Sequence, residues 1–216
     1  NTQVRTGNRD IPLVITVGVE FRGQVRPLSM RFRNQGDDLV YCTPDPAVIG
    51  DLELIAHAAS LNVELLYPMS GLDTEEPILQ PGRIDVLLGQ GRTADVLRNL
   101  CLSVVKSSAD DWQRITTLMQ RLFGVELQQP QETARGSIAL HYRQPGAKEL
   151  LDVSAAGRGF LQMLLVVAYL YSHPRSVLLV DEPDAHLEIL RQKQVYVLLR
   201  DIASENGSQV VLVTHS

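Results

Sequence analysis

Val177-Leu178-Leu179-Val180-Asp181-Glu182-Pro183-Asp184-Ala185-His186-Leu187 decides the fold. Four apolar residues run into two adjacent carboxylates, and a proline then ends the strand. An apolar run of this kind marks a parallel strand covered on both faces of its sheet. Acids at its carboxyl end emerge where open α/β sheets bind ligands. A second such strand, Val210-Val211-Leu212-Val213, ends in Thr214-His215-Ser216. Between them Leu187, Leu190, Val197, Leu198 and Ile202 mark an amphipathic helix, and Glu205-Asn206-Gly207-Ser208 turns the chain back. A crossover of this length returns the second strand parallel to the first, in the right-handed sense. Upstream, the glycine-bearing turn Ser154-Ala155-Ala156-Gly157-Arg158-Gly159 opens an apolar helix. The expected class is therefore α/β, built on parallel core strands.

The rest of the chain adds an antiparallel β subdomain and a helical layer. Residues 11 to 43 alternate as strands, with a turn at Asn34-Gln35-Gly36-Asp37-Asp38. From Asp51, a plausible N-cap, Leu52, Ile55, Ala56 and Ala59 follow helical spacing, and Val63 to Tyr67 is a short strand closed by Pro68. Residues 70 to 90 show no period. Two helices are expected next: one capped by Thr93 and carrying Val96, Leu97, Leu100 and Val104, the other running from Asp110 to Gly124. Gln128 to Arg135 reads as a polar loop, and Ser137 to Arg143 as a strand. The approximate parts are 11–43 antiparallel β, 51–150 a helical and insert region, and 151–216 the core.

Composition bounds the function class. At 216 residues, with 44% hydrophobic and 21% charged side chains, the chain is that of an ordinary soluble globular protein. A net charge of -5 leaves no general footprint for nucleic acid, although 17 of the 20 basic residues are arginine, which suits local phosphate contacts. Cys42 and Cys101 are far apart and make no metal knuckle, which points to two free thiols in a reducing, cytoplasmic setting. The apolar helix Phe160 to Tyr171 is shorter than the roughly 20 residues a bilayer needs, and no signal peptide is visible. A start at Asn1 and a stop at the end of a strand suggest a portion of something longer.

The chemistry gathers at the strand ends. Adjacent strand residues point to opposite sides, so one of Asp181 and Glu182 can face a metal while the other faces an attacking water. Mg²⁺ takes one or two carboxylates beside substrate phosphates, and a second acid can orient or deprotonate water for in-line attack. His215 ends the neighbouring strand at the same sheet edge, where an imidazole can hydrogen-bond a terminal phosphate. His186, just past the proline, is placed either to meet a second subunit or to cap the helix. The glycines at 157 and 159 let backbone approach an anion, and the following helix offers free N–H groups.

Taken together, these elements resemble the second half of an ABC-type ATPase head: a signature motif, a Walker B strand with its D-loop, and a switch histidine. The spelling Asp-Glu-Pro-Asp-Ala-His-Leu at 181–187, with Thr-His-Ser at 214–216, is similar to OLD-type and related AAA-family bacterial ATPases. So is the S-x-x-G-x-G-x-x-Q form from Ser154 to Gln162. The resemblance is specific over residues 150 to 216 and implies ATP and Mg²⁺ as cofactors. It implies that Asp181 supports Mg²⁺, that Glu182 is the catalytic base, and that His215 senses the γ-phosphate. Ser154, Gly157, Gly159 and Gln162 of the signature would contact nucleotide held by a second head, and Glu188 falls at the polar end of the D-loop. The implied partners are that second head, an effector nuclease or toxin subunit, and DNA, with no membrane. The implied output is bacterial defence, often against phage, or DNA processing.

Two departures qualify the resemblance. No G-x-x-x-x-G-K-[ST] phosphate loop occurs in the 216 residues, so this stretch alone is expected to be inactive, and no Q-loop glutamine can be assigned. The rival readings are an inactive head serving as a scaffold or partner-binding module, and a DNA-repair head of the SMC or RecF type. Retention of Asp181, Glu182 and His215 opposes the first, and the lack of sustained heptads opposes the second.

Overall fold

The computed structural model describes residues 12–34, 40–69, 71–181 and 189–213. Residues 1–61 and 62–216 form two compact units.

The first unit is a three-stranded antiparallel meander followed by one helix. Strands β1 (Leu13–Phe21), β2 (Gln24–Asn34) and β3 (Val40–Pro44) pair in sequence order. Phe21 faces Gln24 across a two-residue loop of Arg22 and Gly23, whose φ values are 53° and 75°. Two positive φ angles in a two-residue connection match the twist of the flanking strands, which sets the register. Helix α1 (Leu52–Ala59) starts where Asp51 accepts a hydrogen bond from the Leu54 N–H, as the sequence suggests. Its small core joins Val19, Val48 and Leu54.

The second unit holds the main core. In chain order its elements are β4 (Val63–Leu66), α2 (Pro81–Gly89), α3 (Leu97–Ser107) and α4 (Ala109–Phe123), followed by five short strands. These are β5 (Glu126–Leu127), β6 (Gln131–Glu132), β7 (Ile138–Ala139), β8 (His141–Arg143) and β9 (Leu151–Asp152). The βαβ region closes the chain: α5 (Arg158–Ser172), β10 (Val177–Asp181), α6 (Ile189–Asn206) and β11 (Gln209–Val213). Strand β10 sits in the centre of a parallel sheet of order β11-β10-β4, with Val180 facing both Leu212 and Leu66. The fold is therefore α/β, with parallel core strands and separate antiparallel pieces, as the sequence implies.

Helix α5 is the spine of this unit. All twelve residues from Gly159 to Leu170 are buried. A fully buried Leu or Val contributes about 1.5–3 kcal/mol relative to exposure, so the unit cannot dispense with this helix. Helix α4 is amphipathic, capped by the Ser108 hydroxyl on the Asp111 N–H and ended by Gly124 at φ 73°. No helix among the described residues is long and apolar enough to cross a membrane.

Several expectations are corrected. Among the described residues the parallel sheet is covered on one face: Leu66, Leu178 and Val180 join the core, whereas Val63, Val211 and Val213 on the other face are exposed. Residues 81–89 form a helix rather than irregular chain; Pro81 occupies its first turn, where no N–H is needed, and Ile84, Leu87 and Leu88 are buried at helical spacing. Thr93 lies in a short 3₁₀ turn and does not cap α3. The stretch read as one strand from Ser137 to Arg143 is two, β7 paired with β6 and β8 with β5 and β9. The segment read as a polar loop from Gln128 to Arg135 contains β6.

Candidate functional site

Asp181 is the last residue of β10, exposed and in register with Val213 of β11. Its position follows from the sequence directly: the apolar run buries Leu178 and Val180 and carries the carboxylate past the end of the core. Glu182, His186, Glu188 and His215 lie outside the described residues. Among the described residues no group of three or more His, Cys, Asp or Glu side chains is arranged to hold a metal ion. Mg²⁺ of the kind that binds with substrate phosphates needs only one or two carboxylates, so the single Asp181 carboxylate is a compatible donor.

The glycine-bearing turn is built by local hydrogen bonds. Val153–Ala155 is a 3₁₀ turn whose second N–H, that of Ser154, is accepted by Asp152 Oδ1 at 2.8 Å. Gly157 is the N-cap of α5, with φ −65° and ψ 151°, and the first bond of the helix runs from the Leu161 N–H to the Gly157 carbonyl. The N–H groups of Arg158, Gly159 and Phe160 thus precede the helical ladder and carry the positive end of the dipole. Nothing lies within 4 Å of a Cβ placed on Gly157, so a ligand can approach the backbone there. Arg158 is exposed beside it and adds a cation that the sequence reading passed over.

The remaining signature residues lie deeper. Gly159 is buried in the first turn of α5. Gln162 is 4% exposed, and its Oε1 accepts the Met69 N–H at 2.9 Å. Its Nε2 has no hydrogen-bond partner among the described residues, so any contact with nucleotide would use that amide group. Met69 follows the carboxyl end of β4, which is parallel to β10. The second turn of α5 therefore meets the same end of the sheet that presents Asp181.

A buried polar cluster underlies the turn, and the sequence reading missed it. Arg98, fully buried on α3, donates through Nη2 to Asp152 Oδ1 at 2.8 Å and through Nη1 to the Asp73 carbonyl at 2.8 Å. Glu76 caps α3 from outside the helix: its carboxylate accepts the Arg98 N–H at 2.9 Å, the Asn99 N–H at 2.7 Å and the Asn99 side-chain amide at 2.7 Å. That supplies the cap expected from Thr93. Burial pushes the Glu76 carboxyl up, against the pull of these N–H donors and the Arg98 charge. At Asp152 burial also opposes the anion, but the hydrogen bonds from Ser154 and the Arg98 guanidinium outweigh it and hold the carboxyl below its ordinary value. The available signal was a charged residue inside the apolar run Leu97-Arg98-Asn99-Leu100-Cys101-Leu102. Cys101 is a free, buried thiol that burial pushes up in pKa, so it is not a nucleophile.

Residues 22–216 match the family described as "AAA domain, putative AbiEii toxin, Type IV TA system". A comparison with curated proteins finds no match. Among solved structures, the SMC head domain from Thermotoga maritima is similar at 14% identity and TM-score 0.44, covering 95% of this chain and 65% of that one. An Smc head bound to the C-winged helix domain of ScpA is similar at 16% identity and TM-score 0.45, covering 88% of this chain and 60% of that one. The Smc head domain with a coiled coil and joint from Pyrococcus yayanosii gives 18% identity and TM-score 0.37, over 46% of this chain and 21% of that one. The chain thus spans less than two thirds of the length of each of these structures. With the match running through both units, this chain belongs to that AAA domain family.

Proposed function

We infer that the intact protein binds and hydrolyses ATP with Mg²⁺ as a head that is completed by a second head. The observation that carries this reading is Asp181, exposed at the carboxyl end of the central parallel strand in a chain of the AAA domain family. Asp181 would hold Mg²⁺, and Glu182, next in sequence, would orient and deprotonate the attacking water. Mg²⁺, when bound, neutralises charge on the transferred phosphoryl group. His215, two residues past β11, would meet the terminal phosphate.

Ser154, Gly157 and Gly159, with Gln162 behind them, would serve nucleotide held on the opposite head. The open space at Gly157 and the free N–H groups of the first turn support this assignment. The phosphate-binding loop is not among the 216 residues. Among the described residues strand β11 is an edge of its sheet, and Val63, Val211 and Val213 leave the second face apolar and exposed. A further strand and layer bearing that loop would cover both. The proposed output is bacterial defence or DNA processing, with a toxin or nuclease effector driven by closing and opening of the dimer; the family description names a "putative AbiEii toxin" and a "Type IV TA system".

Gly157→Asp is a clean probe of the shared site. The glycine has an ordinary φ and room for a side chain, and aspartate is a favoured N-cap, so folding should survive. Its carboxylate would repel the γ-phosphate and block closure while leaving nucleotide binding to each monomer. Neither full-length Gly157→Asp nor full-length Glu182→Gln should hydrolyse ATP well alone. A mixed dimer has one site carrying both changes and one carrying neither, so mixing should restore turnover. Mixed dimers seen by light scattering without restored hydrolysis would rule out completion in trans.

A further inference from the structure

We propose that Asp152, anchored by the buried guanidinium of Arg98, is the positioning residue that presents Ser154 and the first turn of α5 to an anionic ligand. The inference rests on the nucleotide reading of that turn and names what sets its geometry. Asp152 Oδ1 receives two donors at once, Arg98 Nη2 and the Ser154 N–H, both at 2.8 Å. Ser154 is therefore fixed by an acceptor that is itself fixed from inside the core.

Hydrogen bonds tie the anchor on several sides, although Arg98 Nε is buried without a partner among the described residues. Arg98 Nη1 holds the Asp73 carbonyl, and Glu76 holds the N-terminus of α3, the helix on which Arg98 stands. Asn99 extends the cluster, donating to the Pro77 carbonyl at 2.9 Å and accepting the Leu79 N–H at 2.9 Å. In the second turn of α5, Gln162 makes a second tie to the same connection at Met69. The segment leaving β4 is thus bound to the start of α5 through Arg98 and Asp152, and to its second turn through Gln162. Replacing the whole cluster by apolar side chains would lower the desolvation cost, whereas removing Arg98 alone strands Asp152 and Glu76, so the buried charge is suited to fixing an orientation rather than to adding net stability.

Asp152→Ala in the full-length protein tests the assignment with two readouts. Amide hydrogen exchange at Ser154 should accelerate while the interiors of α3 and α5 stay protected, because only the turn loses its acceptor. ATP turnover should fall roughly 10- to 100-fold through kcat, with KM little changed, since loss of orientation rather than of binding is the lesion. Asp152→Asn keeps an acceptor for the Ser154 N–H and should recover part of both. If Asp152→Ala does not fold, Arg98→Lys makes the same comparison by losing the planar fork while keeping the charge. Unchanged exchange at Ser154 would overturn the anchor whatever the nucleotide chemistry. A loosened turn with parental kcat would overturn its use in the reaction. Absence of ATP-driven association in the parent protein would instead overturn the nucleotide reading, and this inference with it.

Discussion

Glu182→Gln in the full-length protein should lower ATP turnover by about 10²-fold or more while ATP binding persists. The amide keeps the size and hydrogen-bonding reach of the carboxylate but cannot take a proton from water. Asp181, the preceding residue in sequence, ends β10 in register with Val213. Asp181→Asn should act differently, weakening Mg²⁺-dependent nucleotide binding because a carboxylate ligand is lost. Steady-state hydrolysis and equilibrium binding of a fluorescent nucleotide separate the two effects. Parental turnover in both variants would make the acids a solvated strand end with no part in the chemistry.

The second large effect lies in the core. Arg98→Met should destabilise the protein by about 3–5 kcal/mol, the loss typical when one member of a buried ion cluster is removed. The substitution leaves Asp152 without its guanidinium partner and removes the cation 3.9 Å from the buried Glu76 carboxylate. Glu76 would keep its N–H donors but not the positive charge. Exposed pairs such as Arg92 with Asp95, or Arg200 with Asp201, provide the contrast. Breaking those should change stability by no more than about 0.5–1 kcal/mol, because solvent screens them. Urea denaturation followed by circular dichroism reads the difference. A loss below about 1 kcal/mol for Arg98→Met would mean that the cluster is not a determinant of the fold.

The parallel core was legible because hydrophobic patterning and strand-end acids depend on local sequence. Val177 to Asp181 and Val210 to Val213 gave both strands, and the helix between them followed from crossover geometry. Gly124 and Asp51 were legible as helix boundaries because a cap acts within one turn. What was not legible depends on distant contacts. The run Val177–Val180 fits a strand buried on both faces, but periodicity cannot report whether a second layer is present to cover Val63, Val211 and Val213. Helix α2 was obscured because Pro81-Gly82 carries a turn signal as well as a helix start. The cap of α3 comes from Glu76, more than 20 residues upstream, and no local pattern announces it.

The candidate site divides in the same way. Asp181 and the turn from Ser154 to Gly157 were recognisable as types of residue at an element's end. Gln162 was recognisable by spacing, but its burial and its bond to Met69 appear only once α5 packs against the connection after β4. Arg98 and Asp152 are 54 positions apart, and neither has a motif to mark it. Their connection arises from packing alone.

The central claim is that two heads build the reacting site together. Its most direct test is the specific ATPase activity of the full-length protein across a concentration range, with light scattering on the same samples. Activity per head should rise in step with the conversion of monomer to dimer, and Glu182→Gln should trap the dimer in ATP without turnover. Activity per head that stays constant while monomer converts to dimer would show that one head suffices and would contradict the claim.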